Sequence, residues 1–376
     1  MSQFEYVAVC LFGLEKFVSD EIAALGYEKT ETIDGRVSFT GDESAIARFN
    51  IFSRYAERLY IKLGEFKATT FTELFDGTKD LPFECFIGPD DAFPVTGSCI
   101  RSQLMSVPDC QSIIKKAIVE KLKLSYNLNW FPETATLYRV EFFINKDNVT
   151  LMIDTSGAPL HKRGYRPESN IAPLRETLAA AMVKLSRPRE NVLLWDPFCG
   201  SGTIAIEAAM LMTNTAPGLN RSFSAEKFDF LDESIWSSAR DEAKECVVDS
   251  DFRVFASDID DKCVSLTRSN AKRAGVFDYI TVFKKDALSI EKTDLRATII
   301  CNPPYGERLL DRESVVDLYM EMGDVFSKLS PWQIYIISSV EDFEKLYGKK
   351  ADKIRKFYNG KLKCNFYQYY KNKTVK

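Results

Sequence analysis

Short apolar and polar stretches alternate through the first 155 residues in a way that predicts an α+β architecture. A strand, a helix with apolar residues on one side and a stopping glycine at Gly26 begin the chain. The elements expected up to residue 66 are strands at 4–10, 37–40 and 59–66 and helices at 15–25 and 45–59. Those expected in residues 67–155 are helices at 71–75 and 109–122 and strands at 93–99, 136–144 and 148–154.

After residue 155 the pattern changes to short apolar runs that alternate with longer helical patterns, which is typical of a parallel sheet covered on both faces. Strands are expected at 192–195, 253–260, 279–284, 296–301 and 333–338, with a terminal pair at 354–358 and 361–370 joined by Asn359-Gly360. The stretch 213–250 is too long for an ordinary turn and is an insertion. We therefore expect domains at 1–66, 67–155 and 156–376.

The run 193–207 joins a buried strand to a helix through a turn that contains Gly200 and Gly202. A phosphate loop is disfavoured because no lysine stands at the helix start, and the Asp-Pro-Phe segment is not typical of a dinucleotide loop, although Ala205 is permissive. An acid at the strand end suits the cationic amino group of S-adenosylmethionine. The alternative interpretation is an ordinary strand–helix turn that binds no ligand. The candidate contacts in this run are Asp196, Phe198, Gly200, Ser201, Gly202 and Thr203.

Acidic residues also stand at the ends of the next two predicted strands: Asp258 and Asp260 end the first, and Asp286 follows the second. Asp258, with Ile259 beside it, is placed to accept the ribose hydroxyls, whereas Asp260 is as well suited to cap the following helix. Asp286, with Ala287 beside it, is placed to accept the adenine amino group. The order of glycine turn, Asp258 and Asp286 favours a cofactor site over isolated coincidences.

The strand at 296–301 ends at Asn302-Pro303-Pro304-Tyr305, where two prolines force the chain out of the sheet. The Asn302 side-chain oxygen and the Pro303 carbonyl can accept the hydrogens of an exocyclic amine and aim its lone pair at a sulfonium methyl group. Tyr305 can stack on an extruded base. A simple strand-ending turn is the structural alternative. The four residues resemble the amino-methyltransferase motif of enzymes that act on base amines and glutamine amides.

The run 154–166, with Lys162, Arg163 and Arg166 around a glycine and a tyrosine, resembles the end of a THUMP domain at its junction with a methyltransferase. Glu307 and Arg308 extend the similarity to the THUMP-linked RNA (guanine-N2)-methyltransferase family, of the UPF0020 type. The resemblance implies α+β ferredoxin-like and THUMP domains, then a Rossmann-like α/β class I methyltransferase domain with a seven-stranded, mostly parallel sheet and an antiparallel last strand. It also implies that Glu176 and Thr177, at a helix start, contact the methionine end of the cofactor, although such residues also serve as caps.

The resemblance further implies S-adenosyl-L-methionine as methyl donor and N2-methylguanosine as product, in 23S rRNA by preference. The alternatives are a tRNA guanine-N2 methyltransferase, a DNA adenine-N6 or protein glutamine methyltransferase, and a non-catalytic RNA-binding assembly factor. Nine scattered cysteines without a CxxC pair and a single histidine favour no metal site. No apolar run approaches the roughly 20 residues of a membrane span, and Met1 to Cys10 lack a signal pattern, so we expect a cytoplasmic protein. No obligate protein partner is evident.

The formal net charge of −4 means that RNA binding must rely on local basic clusters. Lysines in or just past the helix at 109–122 form one such cluster, and the junction after residue 160 forms another. For any single lysine a solvated face is the simpler interpretation, and for the junction an interdomain clamp is an equal alternative. The RNA-contact candidates are Arg101, Lys115, Lys116, Lys123, Arg163, Arg166 and Arg308.

Overall fold

Two seven-stranded sheets organise the chain in the computed structural model, which describes residues 3–167, 174–305, 312–360 and 362–370. The first sheet is formed by the N-terminal half, in the order β2-β3-β1-β4-β7-β6-β5. Its elements are β1 (Phe4–Cys10), α1 (Glu15–Ala24), β2 (Glu28–Ile33), β3 (Arg36–Gly41), α2 (Ser44–Phe52), β4 (Ala56–Lys67), α3 (Phe71–Lys79), β5 (Val95–Ile100), α4 (Val107–Tyr126), β6 (Val140–Asn145) and β7 (Asn148–Asp154).

The 12-residue strand β4 joins the two predicted N-terminal units into one sheet. Its first half pairs antiparallel with β1, and the stretch from Tyr60 to Lys67 pairs antiparallel with β7. Both units therefore share one continuous hydrogen-bonded ladder, because a central strand satisfies its backbone groups on both sides.

Two boundaries in this half differ from the sequence expectation. The helix expected at 45–59 ends at Phe52, because Ser53 is extended (ψ 123°) and β4 begins at Ala56. Strand β2 has no counterpart in the prediction. All six of its residues are exposed, so it carries no apolar alternation by which it could be recognised.

The second sheet has the order β10-β9-β8-β11-β12-β14-β13. The first five strands are parallel, and β14 is antiparallel to both of its neighbours, which confirms the predicted class I methyltransferase topology. Its elements are α5 (Glu176–Ser186), β8 (Leu193–Asp196), α6 (Thr203–Met212), α7 (Ser234–Glu245), β9 (Val254–Asp258), α8 (Asp261–Arg273), β10 (Ile280–Lys284), β11 (Ala297–Cys301), α9 (Arg312–Ser327), β12 (Gln333–Ser338), α10 (Phe343–Leu346), β13 (Lys353–Asn359) and β14 (Leu362–Tyr369).

The strand order reverses between β8 and β11, and this switch point sets the position of the site. In parallel sheets a crevice opens outside the carboxyl ends of the strands where the order reverses. Asp196 ends β8, Asp258 ends β9 and Asn302 follows β11. The three polar residues therefore lie on one edge of the sheet.

The insertion at 213–250 fastens the methyltransferase half to the N-terminal half. It contains α7, and Glu242 on that helix accepts two hydrogen bonds from Arg48 of α2, at 2.8 and 2.7 Å. The Gly218 N–H donates to the Ile51 carbonyl at 2.8 Å, and a Cβ at Gly218 would lie 2.6 Å from the Asn50 carbonyl oxygen. The insertion therefore forms part of the interface between the two halves of the chain.

Candidate active site

The turn between β8 and α6 depends on two glycines in the left-handed region. Gly200 has φ 52° and Gly202 has φ 84°. The Gly202 N–H donates to the Cys199 carbonyl at 2.6 Å, and a Cβ at Gly202 would lie 2.8 Å from the Thr267 methyl carbon. Both the backbone conformation and the close approach therefore require glycine at position 202.

Helix α8 holds this glycine turn from behind through two buried polar side chains that the sequence analysis missed. The Thr267 hydroxyl donates to the Gly200 carbonyl at 3.0 Å, and the Asn270 amide donates to the Ser201 carbonyl at 2.9 Å. Both side chains are fully buried. They are three residues apart on the otherwise apolar face of the helix. Polar side chains at apolar positions are the signal by which the two residues could have been found.

Two acids stand at the strand ends beside the turn. Asp196 is 1% exposed and accepts the Phe198 N–H at 3.2 Å, and burial, with a smaller effect from Asp258, raises the pKa of its carboxyl well above the usual range. Asp258 accepts the Gly200 N–H at 2.9 Å and the Asp260 N–H at 3.0 Å. Asp258 therefore braces the turn, and Asp260 caps α8 through the Lys262 N–H, as its alternative interpretation predicted.

The residues proposed for the adenosine side are also on this edge. Ile259 directly follows β9 with its side chain 66% exposed, an open apolar surface suited to a flat ring. Asp286 is exposed and accepts the Leu288 N–H with one carboxylate oxygen, and Ala287 beside it is buried. Phe198 is half-buried.

Glu176, at the start of α5, lies next to the glycine turn through Arg166. The Arg166 guanidinium pairs with Glu176 at 2.8 Å and donates to the Thr203 hydroxyl at 2.7 Å and to the Ser201 hydroxyl at 3.4 Å. Burial raises the pKa of the Glu176 carboxyl. Arg166 is largely buried in these contacts, which corrects its assignment as an RNA contact: it organises the cofactor loop instead.

The neighbouring Thr177 faces the other way. Its hydroxyl donates to Glu57 of β4 at 2.6 Å, and Glu57 also bonds to His161 at 2.6 Å and to Arg175 at 3.1 Å. Its only hydroxyl proton is therefore used at the interface with the N-terminal half, and the expected contact of Thr177 with the methionine end of the cofactor stays a prediction.

The segment after β11 is fixed by tyrosines on both sides. The Tyr305 hydroxyl donates to the Asn302 side-chain oxygen. The Pro304 carbonyl accepts the hydroxyl of Tyr319 from α9 at 2.9 Å, and Tyr319 lies 3.0 Å from the Ser338 hydroxyl at the end of β12. Tyr319 and Ser338 are buried residues that the sequence analysis missed, since nothing near them resembles a motif. Glu307 and Arg308 lie outside the described residues.

Of the two alternatives for the junction at 154–166, an RNA-binding loop and an interdomain clamp, the contacts of Arg163 favour the clamp. Arg163 is only 4% exposed, and its guanidinium donates to the Leu160 carbonyl at 2.7 Å and to the Arg54 carbonyl. It also faces the fully buried Glu207, which accepts the Tyr165 hydroxyl at 3.1 Å. Arg163 is therefore not available to RNA in this structure, which corrects its assignment.

The remaining RNA candidates lie in the THUMP-like region. Lys115 donates to the Phe93 carbonyl at 3.1 Å and pairs with Glu133 at 2.6 Å, and Lys123 pairs with Glu120 at 3.0 Å. Arg101 and Lys116 are exposed and make no ion pair with any described residue. Trp130, 74% exposed just past α4, was missed, although a tryptophan in a polar loop is itself a signal for base stacking.

The residues present fit S-adenosylmethionine. One Glu176 carboxylate oxygen is buried and finds no hydrogen-bond donor among the described residues, as expected for a group that awaits a cationic ligand. Asp196 adds a second buried carboxyl, and the two positive-φ glycines leave room for a ligand to approach the backbone. Among the described residues no group of three or more His, Cys, Asp or Glu side chains could hold a metal ion. Nor is any helix in those ranges both long and apolar enough to cross a membrane.

Comparison with protein families assigns all three parts of the chain. Residues 163–368 match the UPF0020 family, the RMKL-like methyltransferase domain. Residues 5–60 match the RlmL ferredoxin-like domain, and residues 68–154 match the THUMP domain.

Two relatives match nearly the whole of this chain. YpsC of Bacillus subtilis strain 168, described as a candidate RNA methyltransferase, is 44% identical over 98% of this chain and 97% of its own length. The ribosomal RNA large subunit methyltransferase K/L of Psychromonas ingrahamii is 33% identical over 94% of this chain. That relative is longer, and the matched region spans 48% of its length.

Solved structures agree. A possible methylase from Clostridium difficile 630 superposes with a TM-score of 0.95 and 46% identity, covering all of both chains. SMU.472, a candidate methyltransferase crystallised with S-adenosylhomocysteine (SAH), superposes with a TM-score of 0.91 and 38% identity, again over all of both chains. The chain therefore belongs to the RMKL-like, THUMP-containing methyltransferase family, whose methyl donor is S-adenosylmethionine.

Proposed function

We propose that this chain transfers a methyl group from S-adenosylmethionine to the exocyclic N2 of guanine in RNA, forming N2-methylguanosine in 23S rRNA. One observation carries the proposal: Asn302-Pro303-Pro304-Tyr305 follows β11 on the same sheet edge as the glycine turn. In this proposal an amine acceptor and a methyl-donor site share that edge of the sheet.

The chemistry needs little from the protein beyond positioning, since the bound cofactor supplies an electrophilic methyl group on a cationic sulfur. The Asn302 oxygen has two lone pairs, and Tyr305 occupies one of them. In this proposal the other accepts an N–H of the base. The Pro303 carbonyl is the second acceptor in this proposal. Tyr319 anchors the adjoining Pro304 carbonyl, which stiffens the segment while the new N–C bond forms and the S–C bond breaks. The amine proton then leaves to solvent.

The proposal of RNA, and of ribosomal RNA in particular, is supported by the N-terminal half. THUMP domains are RNA-binding modules, and one relative is named as a methyltransferase of large-subunit ribosomal RNA. A methyltransferase for DNA or for a protein amide has no evident use for this half.

Methyl transfer to defined nucleic acids tests the proposal. Purified protein with isotopically labelled S-adenosylmethionine is incubated with protein-free 23S rRNA from cells lacking the gene, with tRNA from the same cells and with duplex DNA. Nucleoside mass spectrometry should find labelled N2-methylguanosine in 23S rRNA and none in DNA. Label confined to tRNA would refute the rRNA target, and label in adenine would refute the guanine product.

A further inference from the structure

A basic cleft lies at the amino edge of the methyltransferase sheet, opposite the edge that carries Asn302. It has a volume of about 920 Å³ and is bordered by the first residues of β8, β11, β12 and β13, by the turn after α5 and by Phe17 of the N-terminal half. The five residues of β11 separate the cleft from the catalytic segment, a distance of roughly 15 Å. The cleft is therefore distinct from the cofactor site.

Cationic side chains dominate the charged residues that line this cleft. Lys184, Arg187 and Arg189 come from the end of α5 and the turn after it, and Lys292 and Arg296 come from the segment before β11. Lys353 and Arg355 of β13 complete the set. Among the described residues of the lining Asp294 is the only carboxylate, although the whole chain has a formal net charge of −4.

These seven cations lie outside the ion pairs found in the described part of the chain. None of them forms an ion pair with a residue in the described part of the chain, whereas Lys115 and Lys123 of α4 both do. Like charges gathered at one cleft repel one another, and a polyanion relieves this repulsion.

Gln368 of β14 provides an independent sign of a missing ligand. It lines the cleft and is only 4% exposed, and its amide nitrogen finds no acceptor among the described residues. A buried donor without an acceptor is unfavourable, so an acceptor oxygen entering the cleft would stabilise it. Phosphate oxygens meet the requirements of both the amide and the cations.

We propose that this cleft binds the phosphodiester backbone of the RNA substrate, as a second contact region behind the methyl-transfer edge. The proposal rests on the proposed RNA methyltransferase function. Seven cations drawn from three chain segments exceed what one phosphate group can neutralise, which favours a strand with successive phosphates over a single phosphorylated metabolite. A folded RNA can present one segment to this cleft and the target base to the opposite edge.

Removing charge from the cleft tests the proposal. The variant replaces four exposed cations by glutamine: Lys184→Gln, Arg189→Gln, Arg296→Gln and Lys353→Gln. Its affinity for protein-free 23S rRNA should fall at least tenfold, and the slope of log affinity against log salt should become shallower by about 0.7 for each lost phosphate contact. SAH affinity, measured by calorimetry, should be unchanged, because the cofactor site lies on the other edge. Gln368→Met, which keeps the side-chain volume, should also weaken RNA binding without lowering the melting temperature.

A matched control removes four exposed lysines of the methyltransferase half outside the cleft: Lys244→Gln, Lys272→Gln, Lys328→Gln and Lys345→Gln. If the control and the cleft variant lose RNA affinity equally, or if neither does, the cleft assignment is overturned. The same follows if inorganic triphosphate or ATP binds at the cleft without displacing RNA. These results would leave the proposed function intact, which fails separately if the wild-type protein transfers no methyl group to RNA.

Discussion

At the scale of single residues, Asn302 is the position where the proposed chemistry is concentrated. It follows a fully buried strand, and its amide oxygen accepts the Tyr305 hydroxyl. This contact orients the Asn302 amide with its oxygen toward Tyr305, because only the oxygen of the amide can accept the hydroxyl proton.

Asn302→Ala should lower the turnover number about a hundredfold or more, since it removes a preorganised acceptor at the reacting amine. SAH affinity should stay nearly the same, because the proposed cofactor contacts lie at the start of α5 and at or after the ends of β8, β9 and β10. Single-turnover kinetics and calorimetry measure the two quantities separately. Loss of cofactor binding with an unchanged chemical rate would contradict the role.

Tyr305→Phe separates the hydroxyl from the ring. If the hydroxyl orients the Asn302 amide, turnover should fall about fivefold, the equivalent of a hydrogen bond worth about 1 kcal/mol. The KM for RNA should not change, because the ring, which is the proposed stacking surface for a base, remains. Tyr305→Ala is the control and should raise KM as well. A Phe variant with wild-type turnover would leave Tyr305 as a stacking residue alone.

Asp258→Ala should weaken SAH binding at least tenfold, because it removes both the proposed ribose acceptor and the brace on the Gly200 N–H. Asp258→Asn keeps one oxygen to accept the Gly200 N–H and loses the charge. Its affinity for SAH should therefore lie between those of the wild type and the alanine variant. Calorimetry gives both values. The ribose assignment is rejected if the alanine variant binds SAH like the wild type.

At the scale of elements, the glycine turn and α8 act as one unit. Gly202→Ala places a methyl group 2.8 Å from the Thr267 methyl carbon and keeps a positive φ of 84°, so α8 must move away from the turn. We expect SAH affinity to fall more than tenfold.

Gly275→Ala is the matched control for this change. Gly275 has a similar φ of 73°, but a Cβ there meets nothing within 4 Å. It should carry only the conformational cost of about 1–2 kcal/mol in stability and leave SAH affinity unchanged. Equal SAH affinities for the two variants would show that contact with α8 is unimportant.

The sequence predicted this element arrangement well where strands are buried and poorly where they are not. The apolar runs of β8 and β11 and their polar ends placed Asp196 and Asn302 on one edge of the sheet. Strand β2 has only exposed residues and left no such trace. Arg163 was misassigned for a related reason: a basic loop has the same composition whether its side chains face solvent or a neighbouring domain, and only the fold distinguishes the two.

At the scale of the whole molecule, Glu57 links the two halves through His161, Arg175 and Thr177. Burial alone would raise the pKa of the Glu57 carboxyl, but hydrogen bonding and the nearby charge of His161, with smaller effects from Thr177 and Arg175, hold that pKa below its usual value. The ionised carboxylate is therefore the form that stabilises the interface.

Because the folded-state pKa lies below the unfolded-state value, unfolding takes up a proton in acid, and the stability from Glu57 is lost as pH falls below about 4.5. Glu57→Gln should lower the free energy of unfolding at neutral pH by about 1–3 kcal/mol. It should also reduce the loss of stability on acidification. Thermal unfolding across pH measures both effects, and identical pH profiles for the variant and the wild type would contradict the interpretation.

The pairing of β4 with β7 has a practical consequence for anyone who wishes to trim or graft this protein. Cutting the chain near residue 67 would separate β4 from β7 in the middle of the sheet. Each of these strands would then have an unpaired edge, through which chains can aggregate. We therefore expect that the THUMP domain does not fold stably when it is produced without the ferredoxin-like domain. A chimera should transplant the ferredoxin-like and THUMP parts together, as a single cooperative body.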